Sequence, residues 1–191
     1  TNEEGLTKNS DCKKCPIGKY GEEIGAYKEG STNDLPQFCK HCPTGFYNNV
    51  EGISAIGECK QCLLGRYSKG DGKGSLNDAC LRCPTGRFSS VLPTHTDPVS
   101  ENECQRCAKG KLLTTSGNDN IDDCVDCPAG KFEPSYGQGQ ACKDCPTGFY
   151  TNELGRSDLL LHCKQCGLGR YSDTTGASTE SEGCKLCPVG K

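Results

Sequence analysis

The chain has 191 residues, of which 18 are Cys, 25 Gly and 10 Pro, with no Met or Trp, 32% hydrophobic residues and a mean hydropathy of −0.66. That composition excludes a large apolar core, so cross-links must take its place. A formal net charge of −3 excludes the basic surface a nucleic-acid partner would need, and the longest purely apolar run, three leucines at Leu159 to Leu161, falls far short of the ~20 residues that cross a bilayer.

Residues 1–11 read as the tail of a preceding repeat, because TNEEGLTKNSDC resembles TNELGRSDLLLHC, which starts at Thr151 just after an aromatic residue. From Cys12 to Cys187 all 18 cysteines fall into nine Cys-x-x-Cys pairs that recur every 18 to 27 residues. Residues 12–123 hold five pairs, a first block, and residues 124–191 hold four, a second and truncated block. Aligned on the second cysteine, the repeat is Cys-x-x-Cys-Pro-x-Gly-x-aromatic. Its glycine recurs nine times, as Gly18, Gly45, Gly65, Gly86, Gly110, Gly130, Gly148, Gly169 and Gly190, which predicts a positive φ or a close backbone approach. Pro16, Pro43, Pro84, Pro128, Pro146 and Pro188 follow the second cysteine and preset a turn that the glycine completes.

Two residues beyond that glycine stand Tyr20, Tyr47, Tyr67, Phe88, Phe132, Tyr150 and Tyr171, with Leu112 in the fifth repeat. Short two-stranded ribbons are expected near these positions, with each ring packed on a neighbouring disulfide as a miniature core. A ladder of rings that stacks a ligand is the alternative. Within the array, Cys39 to Ser68 and Cys142 to Ser172 are one module with an insertion, so a block of about a hundred residues reads as duplicated. Lys191 stops where an aromatic residue is due, and joining it to Thr1 of another copy would set Cys187 16 positions from that copy's Cys12. The chain therefore reads as one unit of a longer polymer or polyprotein, although nine pairs is not a multiple of five. No signal peptide is evident while the cysteine usage is that of secreted proteins, so a mature or excerpted segment is expected.

Zinc can take paired Cys-x-x-Cys at such intervals, but nine pairs do not divide into four-thiolate sites and no His partners them. One thioredoxin-like pair would open a helix, whereas nine pairs each followed by a turn are structural. No metal and no cofactor are expected. Closure within a Cys-x-x-Cys is strained and staples nothing distant, so the favoured pattern joins each second cysteine to the first of the next pair. The bonds are then Cys15 to Cys39, Cys42 to Cys59, Cys62 to Cys80, Cys83 to Cys104, Cys107 to Cys124, Cys127 to Cys142, Cys145 to Cys163 and Cys166 to Cys184. Cys12 and Cys187 are left as candidates for disulfides between repeat units. Each bond is worth about 3 kcal/mol by chain-entropy reasoning, without simple additivity. An interleaved pattern, first to first and second to second, remains open.

The runs CKKCPIGKY, CKHCPTGFY and CLRCPTGRF resemble the ephrin-receptor-like cysteine-rich repeat and the first loop of tumour-necrosis-factor receptor modules. The resemblance extends over essentially the whole chain. It implies an extracellular, elongated protein, with loops closed from a second cysteine to the next pair. The additional cysteines that tumour-necrosis-factor receptor modules carry between such loops are absent. The fold class expected is small, disulfide-rich and irregular, with short β-hairpins and little helix, in a rod-like tandem array.

Chemistry is sparse. His41, His95 and His162 lack an evident general-base partner and read as surface residues. Gly70, Gly72 and Gly74 have phosphate-loop spacing but no flanking strand and helix, so they read as a flexible loop tip. Asn118, Asp119, Asn120, Asp122 and Asp123 lack the ligand order of a calcium loop and read as a solvated turn. No Asn-x-Ser/Thr sequon occurs, whereas Thr174, Thr175, Ser178, Thr179 and Ser181 offer sites for O-linked glycans. Phe46, Ile53 and Ile56 in one copy of the duplicated module, and Phe149, Leu159, Leu160 and Leu161 in the other, suggest lateral contacts between rods. The expectation is a non-enzymatic structural protein of the cell surface or extracellular space. It would form a filament, appendage or coat by self-association or as part of a longer repeat chain. A receptor or adhesion stalk is the alternative.

Overall fold

The computed structural model describes residues 14–22 and 39–190. They fall into two compact units. Unit 1 comprises Thr1–Leu63, Tyr67–Leu81 and Leu92–Glu101; unit 2 comprises Leu64–Arg66, Arg82–Val91 and Asn102–Lys191.

A turn on the repeat's glycine starts each hairpin, with Pro after the opening cysteine in five of the eight and Leu112 replacing the aromatic residue in one, and residues between the next pair of cysteines return it. Thus β1 (Lys19–Gly21) pairs with β2 (Cys39–His41), and β3 (Phe46–Tyr47) with β4 (Lys60–Gln61). β5 (Arg66–Ser68) pairs with β6 (Cys80–Arg82), and β7 (Arg87–Phe88) with β8 (Gln105–Arg106). β9 (Lys111–Leu112) pairs with β10 (Val125–Asp126), and β11 (Lys131–Phe132) with β12 (Lys143–Asp144). β13 (Phe149–Tyr150) with β14 (Lys164–Gln165), and β15 (Arg170–Tyr171) with β16 (Lys185–Leu186), complete the series. The pairings of β1 with β2, β3 with β4, β7 with β8, β9 with β10, β11 with β12, β13 with β14 and β15 with β16 are antiparallel. Single helical turns deliver the first cysteine of a pair: α1 (Leu76–Ala79), α2 (Leu159–His162) and α3 (Glu180–Gly183). Their caps explain their placement, since Ser75, Asp158 and Thr179 accept the orphan N–H groups of the first turn.

Eight disulfides close the described modules: Cys15–Cys39, Cys42–Cys59, Cys62–Cys80, Cys83–Cys104, Cys107–Cys124, Cys127–Cys142, Cys145–Cys163 and Cys166–Cys184. Cys187 is free and exposed, and Cys12 lies outside the described residues. The core is a series of small clusters, each seating a ring on the disulfide of the following module. In unit 1, Tyr20 packs with Cys42, Phe46, Ile53 and Cys59, and Tyr47 with Cys62, Ala79 and Cys80. In unit 2, Phe88 packs with Cys107, Leu113 and Cys124, and Phe132 with Cys145 and Cys163. A bonded pair of sulfurs and one ring thus replace the larger side-chain set of an ordinary domain.

All nine turn glycines have positive φ, between 72° and 90°. At Gly110 both expected reasons for glycine hold at once: φ is +78°, and a Cβ would sit 2.1 Å from the carbonyl oxygen of Gly155. Gly110→Ala should therefore cost about 2 kcal/mol or more, from the left-handed backbone and the overlap together. Gly57→Ala, where a Cβ meets nothing within 4 Å, should change stability by less than about 0.5 kcal/mol. Denaturant unfolding of the two variants with disulfides intact checks this contrast.

Candidate functional site

With so little side-chain core, modules are joined by backbone. Each module opens at the second cysteine of a pair, and the eight that a disulfide closes open at Cys15, Cys42, Cys62, Cys83, Cys107, Cys127, Cys145 and Cys166. Three kinds of hydrogen bond recur at the junctions inside each unit, all three at the junction opened by Cys15 in unit 1 and at those opened by Cys83, Cys107 and Cys127 in unit 2. The turn glycine donates to the carbonyl of the residue after the next module's aromatic: Gly18 to Asn48 in unit 1, and Gly65 to Ser89, Gly86 to Leu113, Gly110 to Glu133 and Gly130 to Thr151 in unit 2, all at 2.7–2.8 Å. That residue in turn donates its N–H onward, as from Asn48 to Lys73, Ser89 to Asn118, Glu133 to Arg156 and Thr151 to Ala177, at 2.9–3.1 Å. In the third bond, a second glycine ten residues past the opening cysteine donates to the carbonyl of the preceding module's opening cysteine. Examples are Gly72 to Cys42 at 2.9 Å, and Gly137 to Cys107 and Gly155 to Cys127 at 2.8 Å.

Two signals for this ladder lay unread in the sequence. The second glycine recurs as Gly52, Gly72, Gly117, Gly137, Gly155 and Gly176, with Pro93 in the fourth module. Its carbonyl lies under the turn glycine two modules back, where a Cβ on Gly18, Gly65, Gly86 or Gly130 would come within 2.0–2.3 Å. Gly72 is accordingly a ladder residue, which corrects the reading of Gly70 to Gly74 as a mere flexible tip. The residue six past each opening cysteine is polar in most modules, yet Asn48, Ser89, Glu133 and Thr151 are buried. Their side chains serve the local turn. Asn48 Oδ1 accepts from Val50 N–H at 2.9 Å, Glu133 Oε1 from Ser135 N–H at 2.8 Å, and Thr151 Oγ1 from Glu153 N–H at 3.4 Å.

The other residues singled out by sequence are dispersed. His41 Nδ1 lies 3.2 Å from Asp71, His95 stacks on Phe46 with ring centroids 4.3 Å apart, and His162 ends α2. Asn120 caps a 3-10 turn at Ile121–Asp123, and among the described residues no group of three or more His, Cys, Asp or Glu could hold a metal. Ser178 donates its hydroxyl to Glu182 at 2.6 Å, and Thr174 and Thr175 are exposed. The lateral-contact set needs correction. Phe46 and Ile53 are buried, and Ile56, Phe149 and Leu159 pack against module cores, because each turns onto the disulfide beside it. Leu160 and Leu161 alone of that set are freely exposed, at 84% and 79%.

At the far end of unit 2 the ladder has no continuation among the described residues. A Cβ on Gly148 or Gly169 would meet nothing within 4 Å. Tyr171 is 43% exposed, whereas Tyr20, Phe88 and Phe132, each beneath a following disulfide, are 3–8% exposed.

Short carboxylate contacts shape the loops here. Hydrogen bonds from the Ser178 hydroxyl and N–H hold Glu182 below its ordinary carboxylate range, and Lys185, 2.7 Å away, does the same for Asp173. A carboxylate with a depressed folded pKa contributes stability above its unfolded pKa and loses it as pH falls through the folded value. Glu182→Gln should therefore remove part of the acid-induced fraying of α3, read as amide exchange of Gly183 and Cys184 against pH.

Comparison with known proteins adds two findings. The family model described as tyrosine-protein kinase ephrin type A/B receptor-like matches residues 114–158. The chain is also 28% identical over 80 residues to cysteine repeat modular protein A of Toxoplasma gondii, an alignment covering 41% of this chain and 2% of that protein.

Proposed function

We propose that this chain, built of ephrin-receptor-like cysteine-rich repeats, is a non-enzymatic structural protein that forms an extracellular filament, appendage or surface coat. The observation that carries the reading is the backbone ladder, in which one junction of unit 1 and three of unit 2 carry the same three hydrogen bonds on modules with different side chains. Such a junction extends without limit, and heterologous contacts of one kind generate open assemblies. Eight disulfides suit an oxidising compartment outside the cytosol. Among the described residues nothing points to catalysis. A hollow of about 470 Å³ in unit 1, lined by Lys69, Gly72, Lys73, Gly74, Asn77, Asp78 and Leu81, is broadly open to solvent. In this reading the inter-repeat bonds use Cys12 and Cys187, lateral contact uses Leu160 and Leu161, and O-linked glycans sit at Thr174 and Thr175.

A second reading, the stalk or ectodomain of a receptor or adhesion protein, draws on the receptor-like family description and on the small fraction, 2%, of the Toxoplasma relative that the chain spans. Among the described residues no helix is long and apolar enough to cross a membrane.

Electron microscopy of the native, non-reduced protein beside a thiol-reduced sample separates the two. Ordered fibres that fall apart on reduction are expected, whereas isolated particles that never associate favour the stalk. Replacing Leu160 and Leu161 together by Ser should thin or unbundle the fibres, with the melting temperature of the dispersed chain within about 2 °C of wild type, as surface substitutions allow.

A further inference from the structure

In the hairpins of unit 2, the residue after the turn glycine faces the residue before the next opening cysteine, and two such couples are ion pairs, Lys111 with Asp126 and Lys131 with Asp144. At the same register β7 and β8 set Arg87 opposite Arg106. The strands β5 and β6 have the same spans relative to their cysteines as β1 and β2, where Lys19 faces His41, so Arg66 stands opposite Arg82. All four arginines belong to unit 2. Like charges directly opposite each other are destabilising where an opposite pair would stabilise, and Arg82, Arg87 and Arg106 form no ion pair among the described residues. Two successive hairpins thus hold an uncompensated charge that the next two neutralise. The side chains are also seated. The exposed Arg82 and Arg106 run their stems across Gly117 and Gly137, where a Cβ on either glycine would lie 3.1–3.4 Å from stem carbons. Asp126 and Asp144 take the same seats on Gly155 and Gly176. Arg87 donates from Nη1 to the Cys104 carbonyl at 3.1 Å, and it is joined to Arg82 through a turn closed by its own N–H on the Pro84 carbonyl at 3.1 Å.

We propose that Arg66, Arg82, Arg87 and Arg106 form a binding site for a sulfated polysaccharide. The inference goes beyond the filament reading and does not depend on it. A guanidinium offers a planar fork of N–H donors that matches the oxygens of an oxyanion, and a sulfate ester stays ionised over the whole physiological pH range. A linear chain carrying a sulfate every sugar or two neutralises the two arginine couples in succession, as Asp126 and Asp144 neutralise Lys111 and Lys131. Charge complementarity is local, since the chain as a whole carries −3; the footprint is that of a short, densely sulfated stretch rather than of a nucleic acid, which needs a broad basic surface. The disulfides suit the compartment in which sulfated glycans are found. In this arrangement the second glycine gains a further task, because Gly117 and Gly137 give the arginine stems a flat bed.

The test is calorimetric titration of the 191-residue chain with a heparin oligosaccharide, its desulfated counterpart, inorganic sulfate and a polyglutamate peptide, for wild type, Arg82→Asp, Arg106→Asp and Lys143→Asp. Arg106→Asp sets Arg opposite Asp, as in the hairpins that follow, so its melting temperature should equal or exceed that of wild type while its affinity for the heparin oligosaccharide falls about tenfold or more. Arg82→Asp should do the same and is the second variant should one of the two fail to fold. Lys143→Asp, an equal charge reversal at an exposed position of β12 outside the arginine couples, should bind within about twofold of wild type. Absence of binding, or equal binding of the desulfated oligosaccharide, overturns the proposal. An equal loss in Lys143→Asp means diffuse attraction and overturns the site. Inorganic sulfate that competes at an equal concentration of sulfate groups overturns the polymer as occupant, and polyglutamate that binds as tightly overturns the sulfated ligand in favour of an acidic protein.

Discussion

A carbonyl oxygen lying where a Cβ would otherwise be is the contact on which the remaining order depends. Where Gly86 meets the Gly137 carbonyl, the notional Cβ is 2.0 Å away, so neither chain segment could approach if any other residue stood there. That approach puts the Gly86 N–H within 2.8 Å of the Leu113 carbonyl and the Gly137 N–H within 2.8 Å of the Cys107 carbonyl. The ring of Phe88 can then seat on the Cys107–Cys124 bond. Disulfides fix the length of each loop, but the glycines determine that one loop can lie on another. A repeat whose junction is made of main chain is indifferent to most side chains, and this is why Asn, Ser, Leu, Glu and Thr all occur at the ladder position.

Much of this was legible in the sequence. The turn glycines could be read because nine identical residues at one offset leave few physical explanations, and the rings because two apolar groups per module have little else to cover. The ladder itself was not, because it joins residues through backbone atoms that carry no residue-type signal. Its traces were a second glycine, which is easily lost among 25, and a polar residue six past most opening cysteines. Lateral contacts were over-read at Phe46 and Ile53 for a related reason. An apolar residue in a loop has no evident neighbour in a linear string, whereas in unit 1 the adjoining module brings Tyr20 against it.

Polar residues at the ladder position illustrate how burial and polarity coexist in modules with so little core. Glu133 is fully buried, and its carboxylate oxygens accept from Ser135 N–H at 2.8 Å and Gln138 Nε2 at 3.2 Å. A side chain that would be an expensive intruder in a large apolar core here closes a turn and fills volume at the same time. By contrast, the exposed ion pairs of the hairpins, such as Lys111 with Asp126 at 2.8 Å, contribute little beyond solubility.

The disulfide pattern has a mechanical consequence. From Cys15 to Cys184 a covalent path runs through sulfur, along two residues, and through sulfur again, bypassing every loop. Tension applied between those cysteines is carried by this short spine, and the bypassed loops bear none of it. Each loop, with cysteines 15 to 24 positions apart, is therefore hidden length, releasable at roughly 3.3–3.6 Å per residue only when its bond is reduced. The loops are free to vary in length and decoration without weakening the tether, and the chemistry of the surrounding thiols, rather than the force itself, sets how far the chain can stretch.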